Sequence, residues 1–352
     1  MDGSFKPGLT NGVLDLDAPL RRILALQTPE GAILWFENGP WDPWNHVESA
    51  MALTVMGRTE AASAAFDYLY ATQRPDGAWF GEYGNALPMV DRDFISREPA
   101  PRLVDTNFCA YPAVGVAHFA LATGNWHRAR KWWPMIKASI DFVVSLQRDD
   151  GAIPWSLEAI NTPDDDALLA GNASIAKSLE CAIFLAGRFD EPVGSWRQAR
   201  AKLIQALHDQ PDAFDRRATG QRFAMDWYYP VLSGALSKTS ARQRLDQLWS
   251  RFVIPGKGCR CVSDEPWVTV AETCELVIAL LALGERSSAE RLFRQAMSIR
   301  DSSGVLWMGW QTAERVVWPK EQPSWTQAAA ILAADALEGF STANRILVAS
   351  VL

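Results

Sequence analysis

The sequence predicts an all-α protein: an (α/α)6 barrel, or toroid, in which six helical hairpins form an inner and an outer ring. Three observations predict it. Periodicity reads as helix almost throughout the 352 residues, with no clean alternation over strand length. The helical stretches alternate between a kind with a charged face and a kind almost free of charge after its first turn. The connections alternate too, short after each uncharged stretch and long before the next one.

The charged-face stretches fall at about 16–28, 59–73, 126–147, 194–208, 239–252 and 286–298. Thr59-Glu60-Ala61-Ala62-Ser63-Ala64-Ala65-Phe66 is typical of them. The uncharged stretches fall at about 44–57, 105–123, 172–188, 226–237, 268–284 and 324–338. Leu276-Val277-Ile278-Ala279-Leu280-Leu281 is typical of these. A helix apolar all round is buried, and one with a polar stripe lies at the surface. The chain is read as one toroid domain over 1–352, with 1–15 as an N-terminal extension.

Loop length gives the barrel a polarity. Gly57-Arg58, Gly124-Asn125, Ser237-Lys238 and Gly284-Glu285 are short turns from inner to outer helix. The return connections are mostly long, and long loops inside a compact domain are usually functional. They gather at the end where the inner helices begin, which is therefore where a site is expected.

A repeat closes the outer helices. Gln73-Arg74-Pro75-Asp76-Gly77-Ala78-Trp79 reads Q-x-x-x-G-x-W. Looser copies are Gln27 to Gly31 with Trp35, and Gln147 to Gly151 with Trp155; a worn copy is Asp301 to Gly304 with Trp307. Gly supplies a turn after the helix and Trp folds back on it. These copies resemble the QW motifs of the squalene cyclase and protein prenyltransferase superfamily. The hairpin count resembles that of six-hairpin glycosidases. Both resemblances imply the toroid, and a fold does not fix a chemistry.

Composition narrows the function. A net charge of −7 argues against nucleic acid as a partner. No apolar run is long enough for a membrane-spanning segment. The N-terminus lacks a signal-peptide core and the five Cys are odd in number, which together suggest reduced thiols in the cytoplasm. No phosphate loop, nucleotide fingerprint or metal-ligand spacing stands out, so no cofactor and no metal are expected. Cys259-Arg260-Cys261 and Cys274 have no His nearby to complete a zinc site. The unusual count is 16 Trp, many beside carboxylates in loops, which suits stacking on flat ligand faces.

The starts of the inner helices supply the candidates. For catalysis these are Asp42, His46, Asp105, Asp226 and Glu272. For substrate binding they are Trp41, Trp44, Asn45, Asn107, Trp227, Tyr228, Trp267 and Trp325. Asp at a helix start is also an N-cap, which competes for Asp42 and Asp105. Glu180 and Glu275 lie deeper and read as structural. Carboxylates converging with indoles on a concave rim are what glycoside hydrolysis needs, one carboxyl protonating the leaving oxygen and another acting on water or the anomeric carbon. The expected substrate is an oligosaccharide or other small molecule. A terpenoid cyclase or prenyl-substrate enzyme is the alternative, although the D-x-D-D acid motif is missing at Pro163-Asp164-Asp165-Asp166. A sugar lyase or epimerase, and a non-catalytic glycan-binding protein, are further alternatives.

Overall fold

The computed structural model describes residues 15–84, 103–157, 162–216 and 222–352. The expected N-terminal extension lies outside them but for its last residue. In chain order the helices are α1 (Asp17–Ala25), α2 (Pro43–Val55), α3 (Thr59–Ala71), α4 (Thr106–Ala110), α5 (Pro112–Thr123), α6 (Trp126–Lys131) and α7 (Trp133–Ser145). They continue with α8 (Leu169–Phe189), α9 (Trp196–Asp209), α10 (Ala224–Leu232), α11 (Lys238–Phe252), α12 (Val270–Ala282), α13 (Arg286–Met297) and α14 (Ser324–Glu338).

Two expected helices are each broken by proline. Pro112 cannot donate the N–H that would continue α4 into α5, and Pro134 separates α6 from α7 in the same way. The expected inner helix at 268–284 begins later, at Val270. Residues Trp267–Thr269 instead pair antiparallel with Gly309–Gln311, which also pairs with Val316–Val317. Other strand pairs are equally short, such as Val104–Asp105 with Ser156–Leu157.

The uncharged helices form a closed inner ring. In order, α2, α5, α8, α10, α12 and α14 each pack on the next, and α14 packs back on α2. The outer helices α1, α3, α6, α9, α11 and α13 each lie against an inner one. Helix α8 is long and apolar enough to cross a membrane, but its residues are mostly buried in this ring. All five cysteines are free thiols.

The repeat joins successive outer helices. Gln27, Gln73 and Gln147 each donate from Nε2 to the carbonyl of their own repeat glycine and to one in the next outer helix, Ala61, Met135 and Ala199 respectively. The repeat glycines Gly31, Gly77 and Gly151 have φ of 107°, 89° and 90°. A Cβ on any of them would strike the carbonyl of Ala64, Ala138 or Lys202 in that next helix. Glycine is therefore required twice over, by backbone angle and by close approach. In the fourth copy Gly304 abuts Ala18 of α1, where the ring closes.

Candidate active site

A cavity of about 450 Å³ opens where the inner helices begin, lined by five of the six inner helices and by α4, which precedes α5. Helix α2 gives Trp44, Asn45 and Glu48, and the α4 start gives Asp105 to Phe108. Helix α8 gives Ala170, Gly171 and Asn172, and the α10 start gives Phe223, Met225 and Asp226. Helix α12 gives Ala271, Glu272 and Glu275, and α14 gives Trp325. Trp155, Leu168, Asp215 and Cys261 complete the wall from the connections. Six carboxyl groups thus face one space. Among the described residues, none that lines it is Lys or Arg.

The carboxyls form two groups and one separate member. Glu48 and Glu275 lie on the floor. Glu48 accepts from the Tyr111 hydroxyl at 3.1 Å, and Glu275 accepts from the Tyr228 hydroxyl. Burial raises both above the ordinary carboxylate range, and each is pushed further by a neighbouring carboxylate, Glu275 by Glu48 and Glu272. Such a pair takes up and releases protons as a unit. On the wall, burial and then the charge of Asp215 raise Asp226 to about 7, against an N–H bond from Ala170 and the charge of Arg244. Asp215 itself accepts the Leu169 N–H at 3.1 Å, so the first turn of α8 holds both wall carboxyls. Asp105, the separate member, caps α4 by accepting the Phe108 N–H at 3.0 Å, and burial lifts it to about 7.

Of the expected catalytic residues, Asp105, Asp226 and Glu272 line the cavity, as do Trp44, Asn45, Asn107 and Trp325 among the expected binding residues. Trp44 stacks on Tyr111 with ring centroids 4.7 Å apart, which fixes its indole on the floor. The Asn107 Oδ1 is buried without a partner among the described residues.

The other expectations are corrected. Asp42 is fully buried behind the wall as the N-cap of α2. It accepts from the Asn45 N–H at 2.9 Å, the Asn45 side chain at 2.6 Å and the Trp35 indole at 2.6 Å. With three donors engaged, it positions Asn45 and does not reach the cavity. His46 is also buried. Its Nδ1 accepts the Ile33 N–H at 3.1 Å and its Nε2 donates to the Ala65 carbonyl at 2.9 Å, so the neutral ring has no nitrogen left for a substrate. Burial lowers its pKa to about 4.

A comparison between hairpins explains His46. Ile33 lies two residues after the repeat glycine Gly31. The residues two after Gly77, Gly151 and Gly304 are held in the same way, Trp79 N–H by the Cys109 thiol, Ile153 N–H by Asn172 and Leu306 N–H by Gln327. His46 is the first hairpin's version of this pin.

Four of the expected binding aromatics also sit in the packing. Trp41 stacks on Tyr83, with centroids 4.5 Å apart. Trp227 stacks on Phe252 and donates to the Arg244 carbonyl at 3.0 Å. Tyr228 is buried under Glu275. Trp267 donates to the Trp318 carbonyl at 2.8 Å beside the small sheet. The last three satisfy their polar edges inside the protein, as buried Trp and Tyr generally do.

Glu48, Glu275, Asp215 and Trp155 also line the cavity, none of them among the expected site residues, and Glu275 against its expected structural role. For two of them a signal exists. Glu48 lies four residues after Trp44, and Glu275 three after Glu272, spacings that share one helix face. Asp215 follows α9 in an irregular segment, where sequence carries no such periodicity.

No family model matches the sequence. Solved structures share the fold. A structure named only as a wild-type glycosidase is 12% identical, with a TM-score of 0.69 over 93% of this chain and 96% of its own. The GH63 mannosylglycerate hydrolase from Thermus thermophilus, in complex with glucose, is 13% identical, with a TM-score of 0.66 over 91% of this chain and 99% of its own. These likenesses bear out the toroid. A protein from Mycolicibacterium hassiacum, the MMP endo-(1,4)-3-O-methyl-alpha-D-mannosidase, is 45% identical over 320 residues, which are 91% of this chain and 85% of the relative. Across that length and identity, the chain belongs to the family of this mannosidase and is a glycoside hydrolase.

Proposed function

We propose that the chain hydrolyses α-(1,4) linkages inside a 3-O-methylmannose oligosaccharide, the substrate named for its relative. The observation that carries this reading is the charge of the cavity. Among the described residues, six carboxyls and no cationic side chain line it. An anionic substrate would meet repulsion there without compensation, whereas a neutral glycan offers hydroxyls for the carboxyls and ring faces for Trp44, Trp155 and Trp325. Asn107, whose Oδ1 has no partner among the described residues, lines the same space. The five unpaired thiols fit a reducing compartment.

For the chemistry, Asp226 serves as general acid and Glu272 as its carboxylate partner. Hydrolysis needs a carboxyl that keeps its proton near neutrality. The environment of Asp226 supplies one, since burial and Asp215 raise it to about 7. It gives that proton to the glycosidic oxygen as the bond to the anomeric carbon breaks. Glu272, half-buried on the neighbouring α12, acts on water or on the anomeric carbon itself. Asp105, which lines the same cavity, serves as a further hydrogen-bonding partner for a sugar hydroxyl.

The test is the release of new reducing ends from an α-(1,4)-linked 3-O-methylmannose oligosaccharide. Asp226→Asn and Glu272→Gln should each lower kcat by about 10²–10⁴-fold. Wild-type protein that leaves this substrate intact sinks the specificity, and full activity in either variant removes that residue from the mechanism.

A further inference from the structure

Two large apolar residues stand at the cavity mouth where local helix chemistry calls for something else. Leu168 is the N-cap of α8 and Phe223 the N-cap of α10. The cap position favours Ser, Thr, Asp or Asn, whose side chains accept an orphan N–H. The caps of α2 and α4, Asp42 and Asp105, follow that rule. Leu168 and Phe223 make no cap bond, and α8 must borrow Asp215 to hold its first N–H. Both are also exposed, Leu168 by 37% and Phe223 by 43%, yet both line the cavity. An exposed Phe at a cap position lowers local stability without filling the core. Places where a sequence breaks such rules tend to be functional.

We infer that Leu168 and Phe223, with Met225 beside them, form an apolar lip that contacts the methoxy groups of the substrate and selects methylated over unmethylated glycan. The inference rests on the proposed substrate and adds to it the residues that read the methyl groups. An unmethylated mannose chain offers only hydroxyls to this edge, and the hydrocarbon side chains of Leu168 and Phe223 have no donor or acceptor to meet them. A methoxy carbon buried against Phe223 and Leu168 leaves water favourably, at about 0.8 kcal/mol per group, or roughly fourfold in affinity. Several methoxy groups along an oligosaccharide would multiply that factor.

The experiment compares kcat/KM for two α-(1,4)-mannose oligosaccharides of equal length, one 3-O-methylated and one not. The proteins are the wild type, Leu168→Ser, Phe223→Ser and Phe223→Leu. The expected wild-type preference is for the methylated substrate. Each Ser variant should reduce that preference by about four- to tenfold. Phe223→Leu, which keeps an apolar side chain, should retain most of it. Both Ser variants introduce a standard cap, so their thermal midpoints should not fall, which separates lost recognition from lost folding. If the wild type prefers the methylated substrate and both Ser variants keep its full preference, the lip is not the reader and this inference alone fails. If the wild type cleaves both substrates equally, the inference fails while mannoside hydrolysis stands. If it cleaves neither, both fall together.

Discussion

Two sets of buried carboxylates occupy opposite ends of the same barrel. At the closed end Glu180, on α8, is 3% exposed and accepts from Lys177 at 2.9 Å, from Arg200 and from the Val351 N–H. Lys177 also donates to the Ala349 carbonyl, so this cluster ties the C-terminal segment under the ring. Two cations hold Glu180 below the ordinary carboxylate range, even though burial pushes the other way. At the open end Glu48 is 6% exposed, almost as buried, but its partners are the Tyr111 hydroxyl, the Trp44 indole and other carboxyls. It is raised instead. Similar burial therefore goes with opposite pKa shifts. Glu180 is tied into the frame by its cations, whereas the raised carboxyls that line the cavity, Glu48 and Asp226 among them, are placed to hold a proton that chemistry can use.

The contrast can be broken first by stability. Glu180→Gln leaves Lys177 buried without its partner and should cost about 3–5 kcal/mol in denaturant unfolding, with kcat of the folded protein close to wild type. Glu272→Gln should cost within about 1 kcal/mol while nearly abolishing activity. Equal losses of stability in the two variants would erase the distinction between the two ends.

The pH dependence of stability should also differ in sign. Glu48, Asp105 and Asp226 have folded pKa values above their unfolded ones. Their favourable contribution is complete below about pH 4 and is lost as pH rises through about 7. Glu180 has a lowered folded pKa, so its contribution is present above its unfolded value and lost on acidification. Glu48→Gln should thus raise the thermal midpoint relative to wild type at pH 8 by a few degrees, and by less at pH 4. A larger gain at pH 4 than at pH 8 would show that the floor pair is not raised.

The smallest effect belongs to the frame outside both ends. Gln147→Ala removes two hydrogen bonds, one to its own repeat glycine and one to the next outer helix, and should cost about 1–2 kcal/mol, seen as a lower denaturation midpoint with an unaltered pH profile of activity.

Much of this is legible in the sequence. The alternation of charged and uncharged helices locates all six inner helices, because burial on every side removes charge from every side. Loop length locates the working end. What local reading cannot settle is the direction in which a rim side chain points. Asp42 and Asp105 are both N-caps, yet only Asp105 lines the cavity, because the Trp35 indole and Asn45 enclose Asp42. Likewise His46 looks unlike the other hairpins because its residue type is unique. Its role is shared with Cys109, Asn172 and Gln327, chemically unrelated side chains that perform one task. Trp227 and Trp267 turn inward because their N–H groups find carbonyls in the packing.

Burial and the charge of Asp215, outweighing the nearby Arg244 guanidinium, keep a proton on Asp226 for transfer to the glycosidic oxygen. The most direct test is kcat/KM of the wild-type protein against pH, on the methylated mannose oligosaccharide and with stability checked at each point. The expected result is an alkaline limb in which activity falls tenfold per pH unit above about 7. Activity that stays level from about pH 6 to about pH 9 would contradict it, since a carboxyl with that pKa would have lost its proton across the range.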